Sequence, residues 1–122
     1  MDEKNQNTKR YDLEDRTLEF AKRVRAFVAK LKSTSANIED GKQLIRSSGS
    51  IGANYIEANE ALSKKDFAMR VKICRKEAKE SRYWLRLIDT SGKSELEQER
   101  KELESEAREL THIFGSIVTK SE

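Results

Sequence analysis

Few residues in this 122-residue chain are of types that do covalent or metal chemistry, and their spacing argues against it. The chain carries one histidine, His112, and one cysteine, Cys74. Glu109-Leu110-Thr111-His112 has the Glu-x-x-His spacing that di-metal helical bundles use in pairs, but no second copy exists to complete such a site. Nothing near His112 in sequence offers the serine, cysteine or carboxylate arrangement of a nucleophile or a metal centre, so it reads as a structural or surface residue. Cys74 falls at helical spacing among apolar residues and reads as a small packed hydrophobe. Glycine-rich phosphate loops are absent. The expectation is a protein with no catalytic residue, no metal and no cofactor.

Charge offers more. Lys65, Lys72, Arg75, Lys79, Arg82 and Arg86 follow one another at heptad-like steps, which on a helix makes a continuous basic ridge. Such a ridge can neutralise phosphates and release their counterions, giving affinity without reading sequence. Glu95, Glu99, Glu102, Glu106 and Glu109 repeat at similar steps further on, an acidic ridge of matching length. Two readings stay open: the ridges pair, within one chain or between subunits, or packing separates them and leaves the basic surface available, with Arg23 and Arg25 as further cations. The net charge of +3 and pI near 9.0 are only mildly basic, so the distribution matters more than the sum.

The basic ridge shares its segment with a second apolar set, Met69, Ile73, Tyr83, Trp84 and Leu87, set apart on a helical wheel from that segment's core stripe. An exposed apolar set of this kind marks self-association or a protein partner. The competing reading folds Trp84 and Tyr83 over the edge of the bundle as extended core.

These faces need long helices to hold them. Charged residues at 39% against 35% hydrophobic suit amphipathic helices with narrow apolar stripes, and the absence of proline favours a few long helices joined by short turns. After a polar, disordered tail over residues 1–11, Asp12 is placed to cap a first helix to about Leu31, with Leu18, Ala21, Val24, Phe27, Val28 and Leu31 on one face. Residues 32–37, rich in Ser, Thr and Asn, read as a connection. The second helix covers about Ile38 to Leu62, its core stripe Leu44, Ser48, Ile51, Tyr55, Ala58 and Leu62. Gly49 and Gly52 sit inside it at a cost of about 1 kcal/mol each, which implies close approach of another chain segment or a local irregularity.

Ser63 and Asp66 form a capping box that opens a third helix to about Ile88. Its core stripe is Phe67, Val71, Cys74, Ala78, Ser81, Leu85 and Ile88, in alternating steps of four and three. After a turn at residues 90–93, Ser94 with Glu97 opens a fourth helix ending near Thr119, burying Leu96, Leu103, Ala107, Leu110, Phe114 and Ile117. The predicted fold is all-α: one domain over residues 12–122, an antiparallel up-down-up-down four-helix bundle. No membrane span or signal peptide is evident, and the lone cysteine excludes an internal disulfide, so the expected location is the cytoplasm.

Two stretches carry a family resemblance. The second helix contains Arg46-Ser47-Ser48-Gly49-Ser50-Ile51-Gly52-Ala53-Asn54-Tyr55-Ile56-Glu57-Ala58, and the third Lys76-Glu77-Ala78-Lys79-Glu80-Ser81-Arg82-Tyr83-Trp84-Leu85-Arg86-Leu87. Together they resemble the bacterial four-helix-bundle family encoded by intervening sequences in 23S ribosomal RNA genes, over about Leu13 to Thr119. The resemblance implies a ring-like homo-oligomer, typically a pentamer, with a role in binding nucleic acid. That family is in turn similar to accessory proteins of diversity-generating retroelements, which implies RNA and a reverse transcriptase as partners. Arg46, Ser50, Asn54, Glu57 and Glu80 match family motif positions, and their physical reading is a polar network that fixes the register of the second and third helices. The sequence departs from the family at Gly52, where many members have proline, and at Ala58, where they have glycine.

Two functional classes follow. One is a non-enzymatic, nucleic-acid-binding oligomer that uses the basic ridge, and the other a protein-protein scaffold whose charges solubilise and orient it.

Overall fold

The caps set where the chain turns. In a computed structural model, which describes the backbone of residues 2–121 and the side chains of residues 13–121, four helices account for nearly the whole chain: α1 (Asp2–Ala29), α2 (Ser35–Asn59), α3 (Lys64–Leu87) and α4 (Ser94–Ser121). Among the described residues there is no strand. The expected tail over residues 1–11 and the expected cap at Asp12 lie outside the residues whose side chains are described.

The α2 helix starts three residues earlier than predicted, because the Thr34 hydroxyl accepts the Asn37 backbone N–H at 3.1 Å and turns part of the expected connection into a helix start. It stops at Asn59, leaving Leu62 outside the helix and 99% exposed instead of in the core. Ser63 caps α3 as expected, accepting the Asp66 N–H at 3.0 Å. At the far end Arg100 reaches from α4 to donate to the carbonyl oxygens of Leu85 and Ile88, and so places a cation on the negative end of the α3 dipole. The α3–α4 turn needs left-handed backbone at Ser91 (φ 59°) and Gly92 (φ 71°). Glu97, expected in a second capping box with Ser94, instead accepts from the Thr90 hydroxyl and from Arg100.

Asn37 ties the two connections at this end of the bundle together. Its amide donates to the Lys32 and Asp89 carbonyls at 3.1 and 2.9 Å, and its oxygen accepts the Asp89 N–H at 3.1 Å. A nearly buried asparagine thus satisfies backbone groups that helix ends would otherwise leave unpaired.

The core runs down the middle of the four helices. Phe20, Val24 and Phe27 of α1 meet Leu44, Ile51 and Tyr55 of α2, Val71, Cys74, Ala78 and Leu85 of α3, and Leu103, Ala107, Leu110 and Phe114 of α4. Tyr55 and Phe114 pack with tilted rings 5.6 Å apart. On α1 the buried face is rotated from the predicted one: Leu18 is exposed, while Thr17 and Phe20 are buried. Thr17 is tolerated inside because its hydroxyl donates to the Leu13 carbonyl at 2.8 Å, which removes the cost of an unpaired polar group. On α4, Val118 is buried and the expected Ile117 half-buried.

Small residues bring α2 close to its neighbours. A Cβ on Gly52 would stand 2.9 Å from the Thr17 hydroxyl oxygen, and one on Gly41 3.0 Å from a Val28 methyl. The α2 helix is unbroken through Gly49 and Gly52, so at Gly52 close approach is the cause and a local irregularity is not. On its other side the buried Ser47 and Ser81 hydroxyls meet at 2.9 Å between α2 and α3.

Candidate nucleic-acid interface

The acidic ridge of α4 turns toward α1. Arg16 holds Glu106 through Nε–Oε2 at 2.7 Å and Nη2–Oε1 at 2.9 Å, and reaches Glu109 at 2.8 Å. Arg23 lies 3.6 Å from Glu102, and Lys30 2.5 Å from Glu99. Four of the five ridge glutamates are therefore engaged by cations of α1 and by Lys30 just after it, an arrangement in which α4 acids and α3 bases do not pair as ridges.

The α3 ridge divides into three parts. Arg82 and Arg86 share one carboxylate, Glu104, at 3.4 and 4.0 Å, a residue outside the predicted acidic ridge. Arg82 Nε, the atom that faces Glu104, is shielded from solvent and makes no hydrogen bond among the described residues. Lys65 and Lys72 are exposed on the outer surface of α3. Arg75, Lys79 and Arg82 face α4 across a groove of about 850 Å³, where Arg108 and Lys120 stand on the opposite wall.

Thr111, Ser116 and Thr119 add hydroxyls to that wall, and His112 sits exposed among them. Among the described residues no carboxylate lines the groove. Gly115 makes room in it: a Cβ there would lie 3.6 Å from Arg75 Cδ, so the aliphatic stem of Arg75 rests against bare α4 backbone. Arg108 and Lys120 escaped the sequence reading because the two walls belong to different helices. Their only signal is the spacing Arg108, Thr111, Gly115, Thr119, a polar stripe along α4 without an acid.

Of the apolar set, Met69, Tyr83 and Leu87 are about half exposed at 50%, 56% and 49%. Ile73 is intermediate, and Trp84 packs partly on the core while its ring meets Tyr83 edge-on at 5.1 Å. The surface patch and the bundle edge therefore share these five residues between them.

Of the expected polar network, Arg46 of α2 donates to Glu80 of α3 at 2.5 Å and lies 3.4 Å from the nearly buried Glu77. Trp84 Nε1 donates to the same Glu80 carboxylate at 3.1 Å, and the indole and Arg46 together hold that carboxyl below the usual carboxylate range. Asn54 donates to the Ser50 carbonyl at 2.9 Å and accepts from Arg70 at 3.2 Å, while the Ser50 hydroxyl returns to the Arg46 carbonyl of its own helix. Glu57 is exposed and joins none of these bonds. Glu77 and Arg70 are the members that sequence reading did not name.

Cys74 is fully buried, its thiol 3.4 Å from the Ile51 carbonyl, and burial pushes its pKa up to about 12. Among the described residues no group of three His, Cys, Asp or Glu side chains is arranged to hold a metal ion, and no helix is long and apolar enough to cross a membrane.

Comparison with known proteins places residues 9–116 within the family model described as 23S rRNA-intervening sequence protein. A crystal structure of a protein of unknown function from the S23 ribosomal protein family, from Bacteroides thetaiotaomicron VPI-5482, is 30% identical with a TM-score of 0.75, covering 90% of this chain and 97% of that one. No curated protein sequence matches.

Proposed function

Because this chain belongs to the 23S rRNA-intervening sequence protein family, we propose that it is a non-enzymatic, oligomeric helical bundle that binds RNA or another nucleic acid in the cytoplasm through basic helix faces. The observation that carries the reading is the segregation of charge. Glu99, Glu102, Glu106 and Glu109 of α4 are engaged by Arg16, Arg23 and Lys30, whereas Arg75 and Lys79 have no acid partner among the described residues. Cations left in that state attract a polyanion over a range set by the Debye length.

The helices run up-down-up-down, each antiparallel to the next. Supporting this, Thr17 meets Gly52 where Val28 meets Gly41, and Asn54 bonds Arg70 where Asn37 bonds Asp89. On the third interface Arg75 meets Gly115 where Arg100 caps Leu85.

The bundle assembles into a ring-like homo-oligomer, with five copies as the expected number. The half-exposed Met69, Tyr83 and Leu87 support an interface on the outer side of α3, beside the basic residues. That patch also supports the scaffold reading, in which the partner is a reverse transcriptase or another protein and the charges only orient it.

Native mass spectrometry of protein purified without nuclease separates the readings in one spectrum. A pentamer carrying RNA is the expected result. A nucleic-acid-free pentamer transfers the function to the scaffold, and a monomer overturns the assembly. Replacing Lys72, Arg75 and Lys79 with Glu removes salt-sensitive RNA retention and leaves the subunit count unchanged.

A further inference from the structure

We propose that the groove between α3 and α4 is a track for one phosphodiester strand, with α4 supplying half of the site. The inference rests on the nucleic-acid reading above and adds where the strand lies, what it is read by and how many strands fit. The lining carries Arg75, Lys79 and Arg82 on one wall and Arg108 and Lys120 on the other, with hydroxyls between them and no acid among the described residues. Guanidinium, ammonium and hydroxyl donors match phosphate oxygens, which accept and do not donate.

Geometry limits the ligand to a single backbone. Packed helices stand about 8–10 Å apart, so the furrow between two of them admits one strand and not a duplex about twice as wide. From Arg108 to Lys120 the α4 wall is about 18 Å long at 1.5 Å per residue, room for several consecutive phosphates. Gly115 keeps the middle of the track open, where any larger side chain would stand over Arg75. At the Arg82 end Glu104 lies 3.4 Å from Arg82 and offsets its charge, so Arg75, Lys79, Arg108 and Lys120 carry the contact.

Among the described residues no Phe, Tyr or Trp lines the groove, and the exposed imidazole of His112 is the one ring there on which a base can stack. The track therefore holds backbone through its cations and hydroxyls, and a single imidazole does not discriminate among bases, which makes binding indifferent to base identity.

The test uses the full chain and fluorescein-labelled 20-mers of U, A and dT, with anisotropy measured from 50 to 200 mM salt. Each phosphate contact contributes about 0.7 to the log–log salt slope of a single strand, so Arg108→Ala with Lys120→Ala, and Arg75→Ala with Lys79→Ala, each lower the slope by about 1.4. Lys22→Ala with Lys42→Ala, two exposed cations on the α1–α2 side of the bundle, leaves it unchanged. Gly115→Leu, which alters no charge and raises helix propensity, weakens binding about tenfold or more by filling the track. Arg108→Lys retains the slope.

Circular dichroism and subunit count of each variant match the parent protein. If the parent binds and the four groove replacements and Gly115→Leu leave binding intact, the track is wrong while nucleic-acid binding stands. A slope that falls equally in the α1–α2 control also overturns the track, because the attraction then belongs to net charge. A parent protein that binds none of the oligomers overturns the nucleic-acid reading itself.

Discussion

Arg16 of α1 grips Glu106 of α4 with two parallel hydrogen bonds, and this pair decides which way the α4 acids face. Both side chains are mostly shielded, at 28% and 18% exposure, so the bond is screened less than an ordinary surface pair. The two carboxylates it binds, Glu106 first, hold the Arg16 guanidinium more firmly protonated than usual.

Reversing that charge is the first prediction. Arg16→Glu sets a third carboxylate against Glu106 and Glu109, and stability falls by about 1 kcal/mol or more, against a median near 0–1 for simple removal of an exposed pair. The double reversal, Arg16→Glu with Glu106→Arg, recovers part of the loss. Thermal melts in low and high salt check this: the single reversal recovers with salt, and an equal deficit at both salt levels would rule out an electrostatic origin.

The second prediction concerns the α2 glycines, which look alike in sequence and differ in the fold. A methyl on Gly52 meets Thr17, a β-branched residue whose hydroxyl is already bonded inside the core, so it cannot swing away. Overpacking of about 1–3 kcal/mol then outweighs the gain of about 1 kcal/mol in helix propensity, and Gly52→Ala destabilises. A methyl on Gly49 comes only within 3.5 Å of the end of the flexible Arg25 side chain, so Gly49→Ala stabilises by up to about 1 kcal/mol. Adding Thr17→Ala to Gly52→Ala removes the clash. Urea titrations of the four proteins check the ordering, and equal effects at the two glycines would refute the close-approach argument.

The same contrast shows what sequence alone could say. Periodicity placed α3 almost residue for residue, because Val71, Cys74, Ala78, Ser81 and Leu85 follow the seam and all are buried. It misplaced the buried face of α1, because Thr17 counts as polar until its hydroxyl is seen bonded to its own helix. It missed Glu77, whose nearly buried carboxylate is supported by Arg46 from another helix. Faces are a local property of one helix and are legible in spacing. Which face meets which depends on rotation of whole helices, so the pairing of Glu106 with Arg16, and the meeting of Arg75 with Gly115, had to come from the fold.

A third prediction follows from Glu80. Its carboxyl is held below the usual range first by the Trp84 indole N–H and then by Arg46. A depressed folded-state pKa contributes stability above the ordinary carboxylate value near 4.3 and loses it as pH falls through the folded value. Glu80→Gln is therefore less stable than the parent protein at pH 7, and the two curves converge below about pH 4. The magnitude is a fraction of a kcal/mol, since Arg46 is 48% exposed and solvent screens it. Unfolding midpoints at half-unit steps from pH 7 to 3 check it, and parallel curves would remove Glu80 as a contributor.

Cys74 yields the last prediction. Burial raises its pKa to about 12, so at pH 8 the thiolate fraction is lower than for a free thiol by a factor on the order of 10³, before any steric protection is counted. Native protein therefore reacts with a disulfide reagent at a rate set by unfolding or local opening, and the same protein in denaturant reacts at once. The sign for stability is the reverse of Glu80. A raised folded-state pKa gives a contribution that is complete below the free-thiol value of about 8.5 and is lost as pH rises toward 12. Labelling at pH 8 with increasing urea should track the unfolding transition, and stability should decline between pH 9 and 11 more steeply in the parent protein than in Cys74→Ala. Native labelling as fast as in denaturant would mean that Cys74 does not sit on the packed seam between α2 and α3.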